Sequence, residues 1–260
     1  QVQSRIKMIE KMDKVEEVIE DSAAVNFSFK LKQQRGRFVV QLEDVSKSYG
    51  TLEILKHAQA NIERGDKIAL IGANGKGKST LLRIIAGSEP FTGERRWGHN
   101  VVESFYAQHQ LESLHLQHSV LEELNHCGSQ LTEQEIRNLL GCFLFGGDDV
   151  EKKIRVLSGG EKARVALAKT IVSRANFLLL DEPTNHLDMH SVDLLAEALQ
   201  KYQGTYIFVS HDLDLVRHLS DQILVMYKGE IVETGNWKEV LENPTHNYTK
   251  TLIAAAPKYV

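Results

Sequence analysis

The sequence contains little cysteine and no long apolar run. Only Cys127 and Cys142 occur among 260 residues, and their spacing matches neither a metal site nor a set of paired disulfides. We interpret them as reduced, packed thiols of a cytoplasmic protein. No stretch approaches the ~18 apolar residues of a membrane-spanning helix, and the N-terminal residues, rich in Lys and Glu, lack the apolar core of a signal peptide. We therefore expect no integral membrane segment.

A strong excess of charge of one sign is also missing. The formal net charge is −4, with 42% hydrophobic and 25% charged residues, which is ordinary for a globular protein. The overall charge does not indicate a nucleic-acid-binding protein, and such a contact would need a local basic patch. There is no internal repeat and no low-complexity tract, and the length suits one large domain or one and a half ordinary ones.

The chain divides into a short N-terminal part and one large domain. Residues 1–21 are predicted to form a charged helix, with a narrow apolar seam at Met8, Met12, Val15 and Ile19 that is typical of a coiled coil. Packing of this helix on its own domain is an equally open alternative. We interpret residues 1–36 as a linker-like helix and connector, and residues 37–260 as the large domain.

Short apolar runs alternate with helical patterns along the large domain. The predicted strands are 38–42, 54–62, 67–71, 101–107, 177–180, 205–209 and two around 223–232. The predicted helices are 79–86, 120–125, 133–140, 160–174, 192–201 and one that begins at Leu213, with a loop at 141–149. This alternation predicts an α/β fold with a mostly parallel sheet. Residues of about 112–155 are predicted to form a mostly helical lobe, together with the helix that follows.

A phosphate-binding loop is the clearest motif. Residues 72–79 read Gly-Ala-Asn-Gly-Lys-Gly-Lys-Ser, between a predicted strand and a predicted helix. In such a loop, backbone N–H groups surround a phosphate, the lysine reaches the β- and γ-phosphates, and the hydroxyl that follows binds Mg²⁺. The predicted nucleotide-binding residues here are Gly72, Asn74, Gly75, Lys76, Gly77, Lys78, Ser79 and Thr80.

Two acidic residues end a continuous apolar strand. Asp181 and Glu182 follow residues 177–180, at the end of a parallel strand where ligands bind in α/β sheets. Asp181 is predicted to hold Mg²⁺. Glu182 is predicted to orient or deprotonate the attacking water.

A Ser-Gly-Gly turn opens the helix before that strand. Residues 157–161 read Leu-Ser-Gly-Gly-Glu, and a helix that begins this way can bind a second anion. Such triplets are also common helix starts, so the motif alone leaves both interpretations open.

The phosphate loop, the Leu-Ser-Gly-Gly-Glu motif and Leu-Leu-Asp-Glu-Pro at residues 179–183 together resemble the ATP-binding-cassette (ABC) superfamily. The resemblance implies a P-loop NTPase fold of the ABC ATPase type: a mostly parallel sheet, an antiparallel N-terminal β part and a helical lobe. It also implies binding of ATP and Mg²⁺, and hydrolysis at sites composed from two cassettes paired head to tail.

The same resemblance implies roles for further residues. Tyr49 corresponds to the aromatic residue that stacks on adenine, and Gln108 to the glutamine that senses the γ-phosphate and Mg²⁺. Asp188 corresponds to the dimer-contact loop, and His211 to the catalytic switch histidine. The Mg²⁺ set is then Ser79, Gln108 and Asp181, while Ser158, Gly159, Gly160 and Glu161 face the ATP of the partner cassette. Singly, Tyr49 could be a core residue and His211 an ordinary loop histidine.

The resemblance can be narrowed to the second cassette of ABC-F proteins over residues 1–212. It rests on residues 106–110 (Tyr-Ala-Gln-His-Gln), 146–150 (Gly-Gly-Asp-Asp-Val), 157–165 and 182–188 (Glu-Pro-Thr-Asn-His-Leu-Asp). ABC-F proteins are soluble ATPases that act on ribosomes, and residues 1–35 resemble the end of the linker between their two cassettes. The resemblance implies the ribosome as a partner.

The C-terminal segment departs from that pattern. Residues 225–233 and 243–250 resemble the end of peptide-importer ATPases, so the sequence reads as a hybrid joined near His211. Two alternatives to the ribosomal role therefore stay open. One is the ATP-binding subunit of a membrane transporter, and the other is an ATP-dependent dimerisation module with little turnover.

Overall fold

The computed structural model describes residues 36–107, 114–128, 131–185 and 187–255. The linker-like helix predicted for residues 1–21 lies outside these ranges, as does Gln108.

A three-stranded antiparallel sheet forms the N-terminal part of the domain. Its strands are β1 (Phe38–Tyr49), β2 (Leu52–Glu63) and β4 (Thr92–Trp97). The central strand β1 pairs with β2 on one side and with β4 on the other, both antiparallel. The antiparallel N-terminal β part is therefore confirmed.

A six-stranded sheet forms the centre of the molecule. Its strands are β3 (Lys67–Ile71), β5 (Glu103–Tyr106), β6 (Phe177–Asp181), β7 (Thr205–Val209), β8 (Gln222–Tyr227) and β9 (Glu230–Asn236). The order is β5-β6-β7-β3-β8-β9, and every pair is parallel except β8 with β9. The predicted α/β fold with a mostly parallel sheet is confirmed.

The strand β3 separates two hydrophobic cores. Ile68 and Leu70 pack into the core that lies against the antiparallel sheet, while Ala69 and Ile71 pack into the core on the opposite face. This alternation follows from the two-residue period of a strand. Helix α1 (Lys78–Ala86) lies in the first core and the remaining helices contribute to the second.

The chain between β5 and β6 is mostly helical in its described residues. It forms α2 (Val120–Asn125), α3 (Glu133–Cys142), α4 (Gly159–Val172) and two short 3₁₀ turns, Gly147–Glu151 and Ile154–Val156. Each α-helix begins at a Ser or Thr that exchanges hydrogen bonds with a Glu three residues later, which is the capping-box arrangement. The loop predicted for 141–149 is too long, because α3 ends at Cys142 and a 3₁₀ turn begins at Gly147.

The last part of the chain adds α5 (Met189–Lys201), α6 (Leu213–Leu219), α7 (Trp237–Glu242) and α8 (Asn247–Ala255). The sequence reading missed α7, α8 and strand β4. In β4, charged residues interrupt the apolar pattern, yet the Arg95 guanidinium lies 5.5 Å from the Trp97 ring and donates to the Ile84 carbonyl at the end of α1. The Arg95 side chain therefore packs inside the protein although it is charged, so an alternation of apolar and polar residues does not reveal this strand.

Candidate functional site

Three neighbouring parallel strands end at one edge of the central sheet. The phosphate loop (residues 72–79) follows β3. Asp181 ends β6 and Glu182 comes next, while Ser210 and His211 follow β7. Because β6, β7 and β3 are adjacent and parallel, these residues meet in the crevice at their carboxyl ends.

Two glycines of the phosphate loop are sterically required. Gly72 has a φ of 151°, and a Cβ there would lie 2.3 Å from the Met226 carbonyl oxygen in β8. Gly77 has a φ of 99°, and its Cβ would lie 2.9 Å from the Ile54 methyl group in β2. The crest of the loop is exposed at Asn74, Gly75 and Lys76. Flanking strands thus fix both ends of the loop and leave its middle open to a ligand.

Lys78 lies beneath the loop as a buried cation. Its side chain is almost fully buried, and Nζ donates to the carbonyl oxygens of Gly72 at 2.8 Å and Ala73 at 2.9 Å. Burial lowers the pKa of Lys78, against the opposing effect of the Glu182 and Asp181 carboxylates. An anionic phosphate would restore a favourable environment for this charge.

Ser79 and Asp181 bring two oxygen ligands together. The Ser79 hydroxyl donates to Asp181 Oδ1 at 3.0 Å. Burial raises the pKa of the Asp181 carboxyl, the Ser79 hydrogen bond lowers it, and the neighbouring Glu182 raises it again. A buried carboxylate beside a hydroxyl, with a second carboxylate nearby, is the kind of oxygen site that fits Mg²⁺. Thr80 is buried one residue further along α1.

Glu182 and His211 face each other across the site. Glu182 adopts a left-handed backbone with a φ of 50°, which is uncommon outside glycine and concentrates at functional sites. Its Oε1 lies 3.5 Å from His211 Nε2, and the Asn185 amide donates to its Oε2. Burial lowers the pKa of His211, and the nearby Lys78 ammonium lowers it further. The imidazole is therefore biased towards its neutral form.

The Ser-Gly-Gly turn lies at the exposed start of α4. The Ser158 side chain caps the helix by accepting from the Glu161 amide at 3.3 Å, and Glu161 Oε2 accepts from the Ser158 amide and hydroxyl, each at 2.7 Å. These bonds hold the pKa of Glu161 below its ordinary value. A Cβ at Gly159 would meet no atom within 4 Å. The hydrogen bonds of Ser158 stay within α4 and do not reach the phosphate loop.

Asp188 and Tyr49 lie at the margins of the site. Asp188 caps α5 through the Ser191 amide at 2.8 Å, and its Oδ2 lies 3.6 Å from Arg164 of α4. The ring of Tyr49, at the end of β1, is 46% exposed, with the Lys47 ammonium 4.7 Å from its centroid. The ring can therefore accept a stacking partner. Gln108 lies outside the described residues. In the sequence it comes two positions after the last residue of β5.

One contact to the loop was missed by the sequence reading. The Tyr248 hydroxyl of α8 accepts from the Ala73 amide at 2.8 Å, and the Tyr248 ring stacks on Tyr227 with centroids 4.1 Å apart. A cavity of about 190 Å³ lies alongside, lined by Ile71, Gly72, Ser210, His211, Leu213, Leu252 and Ala255. The only sequence signal was the resemblance of residues 243–250 to importer ATPases, which assigned Tyr248 no role.

Comparison with known proteins agrees with this geometry. The sequence profile of the family described as "ABC transporter" matches residues 55–185. The chain is 43% identical over 246 residues to the putative ATP-binding protein YdiF of Bacillus subtilis, which covers 94% of this chain and 38% of that protein. It is 40% identical over 232 residues to the probable ATP-binding protein YheS of Escherichia coli K12, covering 89% of this chain and 36% of that protein.

A plant relative carries a more specific name. The chain is 40% identical over 220 residues to ABC transporter F family member 5 of Arabidopsis thaliana, covering 84% of this chain and 32% of that protein. The chain thus spans about a third of the length of these three relatives. Because the YdiF alignment covers 94% of the chain, it continues past His211. The hybrid interpretation of residues 213–260 stays a prediction. No helix among the described residues combines the length and the hydropathy that a membrane span needs.

Proposed function

Because this chain belongs to the ABC transporter family and is related to its F members, we propose that it hydrolyses Mg²⁺-bound ATP between two cassettes paired head to tail. ATP binding is the activity that the family and the named relatives share. The Mg²⁺ requirement, the pairing and the cellular partner are the proposed parts.

One observation supports this proposal above the others. The carboxyl ends of neighbouring strands bring together Lys78, the Ser79–Asp181 pair and the Glu182–His211 pair. Lys78 and the amides of the loop would hold the phosphates. Ser79 and Asp181 would hold Mg²⁺, which supplies charge neutralisation when bound. Glu182 would orient or deprotonate the attacking water, with His211 beside it in contact with the γ-phosphate.

The remaining predicted residues complete the nucleotide site in this proposal. Tyr49 would stack on adenine, Thr80 would support the phosphates from α1, and Gln108 would sense the γ-phosphate and Mg²⁺. The exposed crest at Asn74, Gly75 and Lys76 leaves room for the ligand.

The exposed start of α4 supports a site shared between two cassettes. In the described part of the chain no atom lies within 4 Å of a Cβ built at Gly159, and we infer that a group from a second cassette approaches there. Val156 is 66% exposed and Met189, next to Asp188, is 82% exposed. Apolar side chains in this position suit burial against a second cassette. Ser158, Gly160 and Glu161 would then face the ATP held by the partner's phosphate loop, in a two-fold pair.

The test is the substitution Glu182→Gln, which keeps the shape of the side chain and removes its basic oxygen. We expect steady-state ATP hydrolysis to fall by about 10²–10⁴-fold, as for the loss of a general base, and ATP to hold the variant as a dimer on a sizing column. Asp193→Asn, an exposed substitution on α5, is the control. Unchanged turnover together with a monomeric elution in ATP would overturn the proposal. Zero turnover of the unsubstituted chain, with ATP-dependent pairing intact, would leave a dimerisation module.

We propose the ribosome as the partner, because the chain is related to F members of the family. The sequence resemblance of residues 213–260 to importer ATPases favours a membrane transporter subunit as the second candidate. ATP-dependent co-sedimentation of the Glu182→Gln variant with ribosomes supports the first. Its absence, with turnover stimulated by a membrane fraction, supports the second. A cytoplasmic location stays a prediction in either case.

A further inference from the structure

A cluster of two histidines and a buried glutamate lies in the helical region, outside the residues of the proposed nucleotide site. His115 and His118 belong to the turn before α2, and Glu123 lies on α2 itself. Glu123 Oε2 is 3.2 Å from His115 Nδ1 and 2.8 Å from His118 Nδ1. One ligand atom from each of the three residues falls within 4.8 Å of the others.

Several contacts hold this cluster in place before any ligand arrives. The His118 amide donates to the His115 carbonyl at 2.9 Å, which closes the turn. The two imidazole rings stack with centroids 4.7 Å apart, and His118 stacks in turn on His126 at 4.9 Å. Preorganised donor atoms reduce the ordering that a metal ion would otherwise have to impose.

Glu123 is buried and paired with a lysine. Its side chain has no exposed surface, and the Lys169 ammonium of α4 contacts Oε1. Lys169 occupies one carboxylate oxygen and leaves the other directed at the two imidazoles. A ligating carboxylate is commonly held by an outer hydrogen bond in this way.

The donor set selects the class of metal. Two imidazole nitrogens and one carboxylate oxygen suit Zn²⁺ and similar transition metals, whereas Mg²⁺ prefers oxygen ligands in octahedral geometry. Zinc bonds of about 2.0–2.1 Å at tetrahedral angles place neighbouring ligand atoms about 3.3 Å apart. The two nitrogen–oxygen distances of 3.2 and 2.8 Å need to open by only a few tenths of an ångström.

We propose that His115, His118 and Glu123 bind one divalent transition-metal ion of the Zn²⁺ class. The ion takes three protein ligands and leaves a fourth position to water on the side of His115, whose side chain is 67% exposed. Bound metal fixes the turn of residues 115–118 onto α2. Through the Glu123–Lys169 pair, it also ties both to α4, the helix that begins at the Ser-Gly-Gly turn.

The experiment titrates Zn²⁺ into the chelator-treated full chain, without nucleotide and with excess Mg²⁺, by calorimetry. Co²⁺ then serves as a spectroscopic probe, since its visible absorption reports tetrahedral coordination. We expect one Zn²⁺ per chain, a Zn²⁺-dependent rise in the thermal midpoint, and a tetrahedral Co²⁺ spectrum. His115→Ala should weaken Zn²⁺ binding by more than the ~10–100-fold that loss of an outer-shell partner costs. Because the His115 side chain is exposed, we expect the variant to fold as the parent does, and a melting curve checks this.

The matched control is His126→Ala. His126 belongs to the same ring stack, but its Nδ1 donates a hydrogen bond to the Glu122 carbonyl at 2.6 Å. The variant therefore removes a stacking partner without removing a proposed metal ligand. Zn²⁺ affinity close to that of the parent is expected. Equal Zn²⁺ binding by the parent, His115→Ala and His118→Gln would overturn the proposal, as would an octahedral Co²⁺ spectrum. No Zn²⁺ binding by the parent would reduce the cluster to a hydrogen-bonded network.

Discussion

At the scale of single residues, the proposed nucleotide site gathers charges that the fold alone does not favour. Asp181 is buried with Glu182 beside it, and burial raises the pKa of its carboxyl. Lys78 is buried with a lowered pKa, and Glu182 holds a left-handed backbone. Buried and strained groups of this kind persist where a ligand repays their cost. The stability of the site residues is thus coupled to their ligands.

Asp181→Asn tests that coupling. Removing the buried charge should raise the thermal midpoint of the nucleotide-free chain by about 2–4 °C, the shift expected for ~1 kcal/mol in a chain of this size, because Asn keeps the acceptor for Ser79. It should also abolish the gain in ATP affinity that Mg²⁺ gives. Differential scanning fluorimetry and nucleotide titration with and without Mg²⁺ measure the two effects.

The pH dependence of stability, compared between the parent and Asp181→Asn, tests the same explanation. A carboxyl whose pKa is raised in the folded state binds its proton more tightly there than in the unfolded chain. The parent should therefore gain stability relative to Asp181→Asn as the pH falls through the folded pKa of Asp181. Asp188→Asn is the control, since hydrogen bonds from Ser191 lower the pKa of Asp188. No gain of the parent over Asp181→Asn as the pH falls, or an equal gain of the parent over Asp188→Asn, would contradict the explanation.

At the scale of elements, helix α8 contacts the start of the phosphate loop. The Tyr248 hydroxyl accepts a hydrogen bond from the Ala73 amide, and the Tyr248 ring stacks on Tyr227 of β8. The strand β8 also supplies the Met226 carbonyl that excludes a side chain at Gly72. Two C-terminal elements therefore shape the start of the loop, although neither belongs to a nucleotide-binding motif.

Tyr248→Phe isolates this contact. The ring and its stacking remain, while the Ala73 amide loses its acceptor at a cost of about 1–3 kcal/mol. We expect ATP affinity, measured by nucleotide titration, to fall by about 5- to 140-fold, since 1.4 kcal/mol is a factor of ten. Tyr227→Phe keeps the stack and the Tyr248 hydroxyl, and should bind ATP as the parent does. Equal affinities in all three proteins would show that α8 does not position the loop.

Periodicity found the elements that bury a regular face and missed those that do not. The strands β3, β6 and β7 are apolar except for one terminal residue each, and they were predicted to within a residue. The strand β4 was missed because one of its charged residues, Arg95, faces inward and packs over the Trp97 ring. Helix α8 was missed because Thr249 is its only residue classed as buried, which leaves little amphipathic pattern to detect.

At the scale of the whole molecule, the two predicted halves of the site share no hydrogen bond among the described residues. The phosphate loop opens at the sheet edge, whereas Ser158 makes its hydrogen bonds within α4 and is exposed. The chain also spans only about a third of the length of its relatives. A complete site therefore requires a second cassette under the proposed function.

Mixing two inactive variants tests whether the halves combine. Lys78→Met fills the buried space without the ammonium, and Ser158→Asp keeps the helix cap but sets a negative charge against the partner's phosphates. Each alone should show almost no ATP hydrolysis. In an equal mixture, half of the dimers are mixed and each holds one intact site, so about a quarter of the parent rate should return. A mixture as inactive as its components would contradict independent head-to-tail sites.

The sequence by itself determined the chemistry that lies in short segments. The phosphate loop, the acids that end β6 and the capping boxes of α2, α3 and α4 all depend on residues within a few positions, because turns and helix starts are set by local backbone geometry. Tertiary structure decided the rest. The Ala73–Tyr248 contact joins residues 175 positions apart, and the Glu123–Lys169 pair joins residues 46 apart. Such pairs form only when strands and helices pack, so no local pattern carries them.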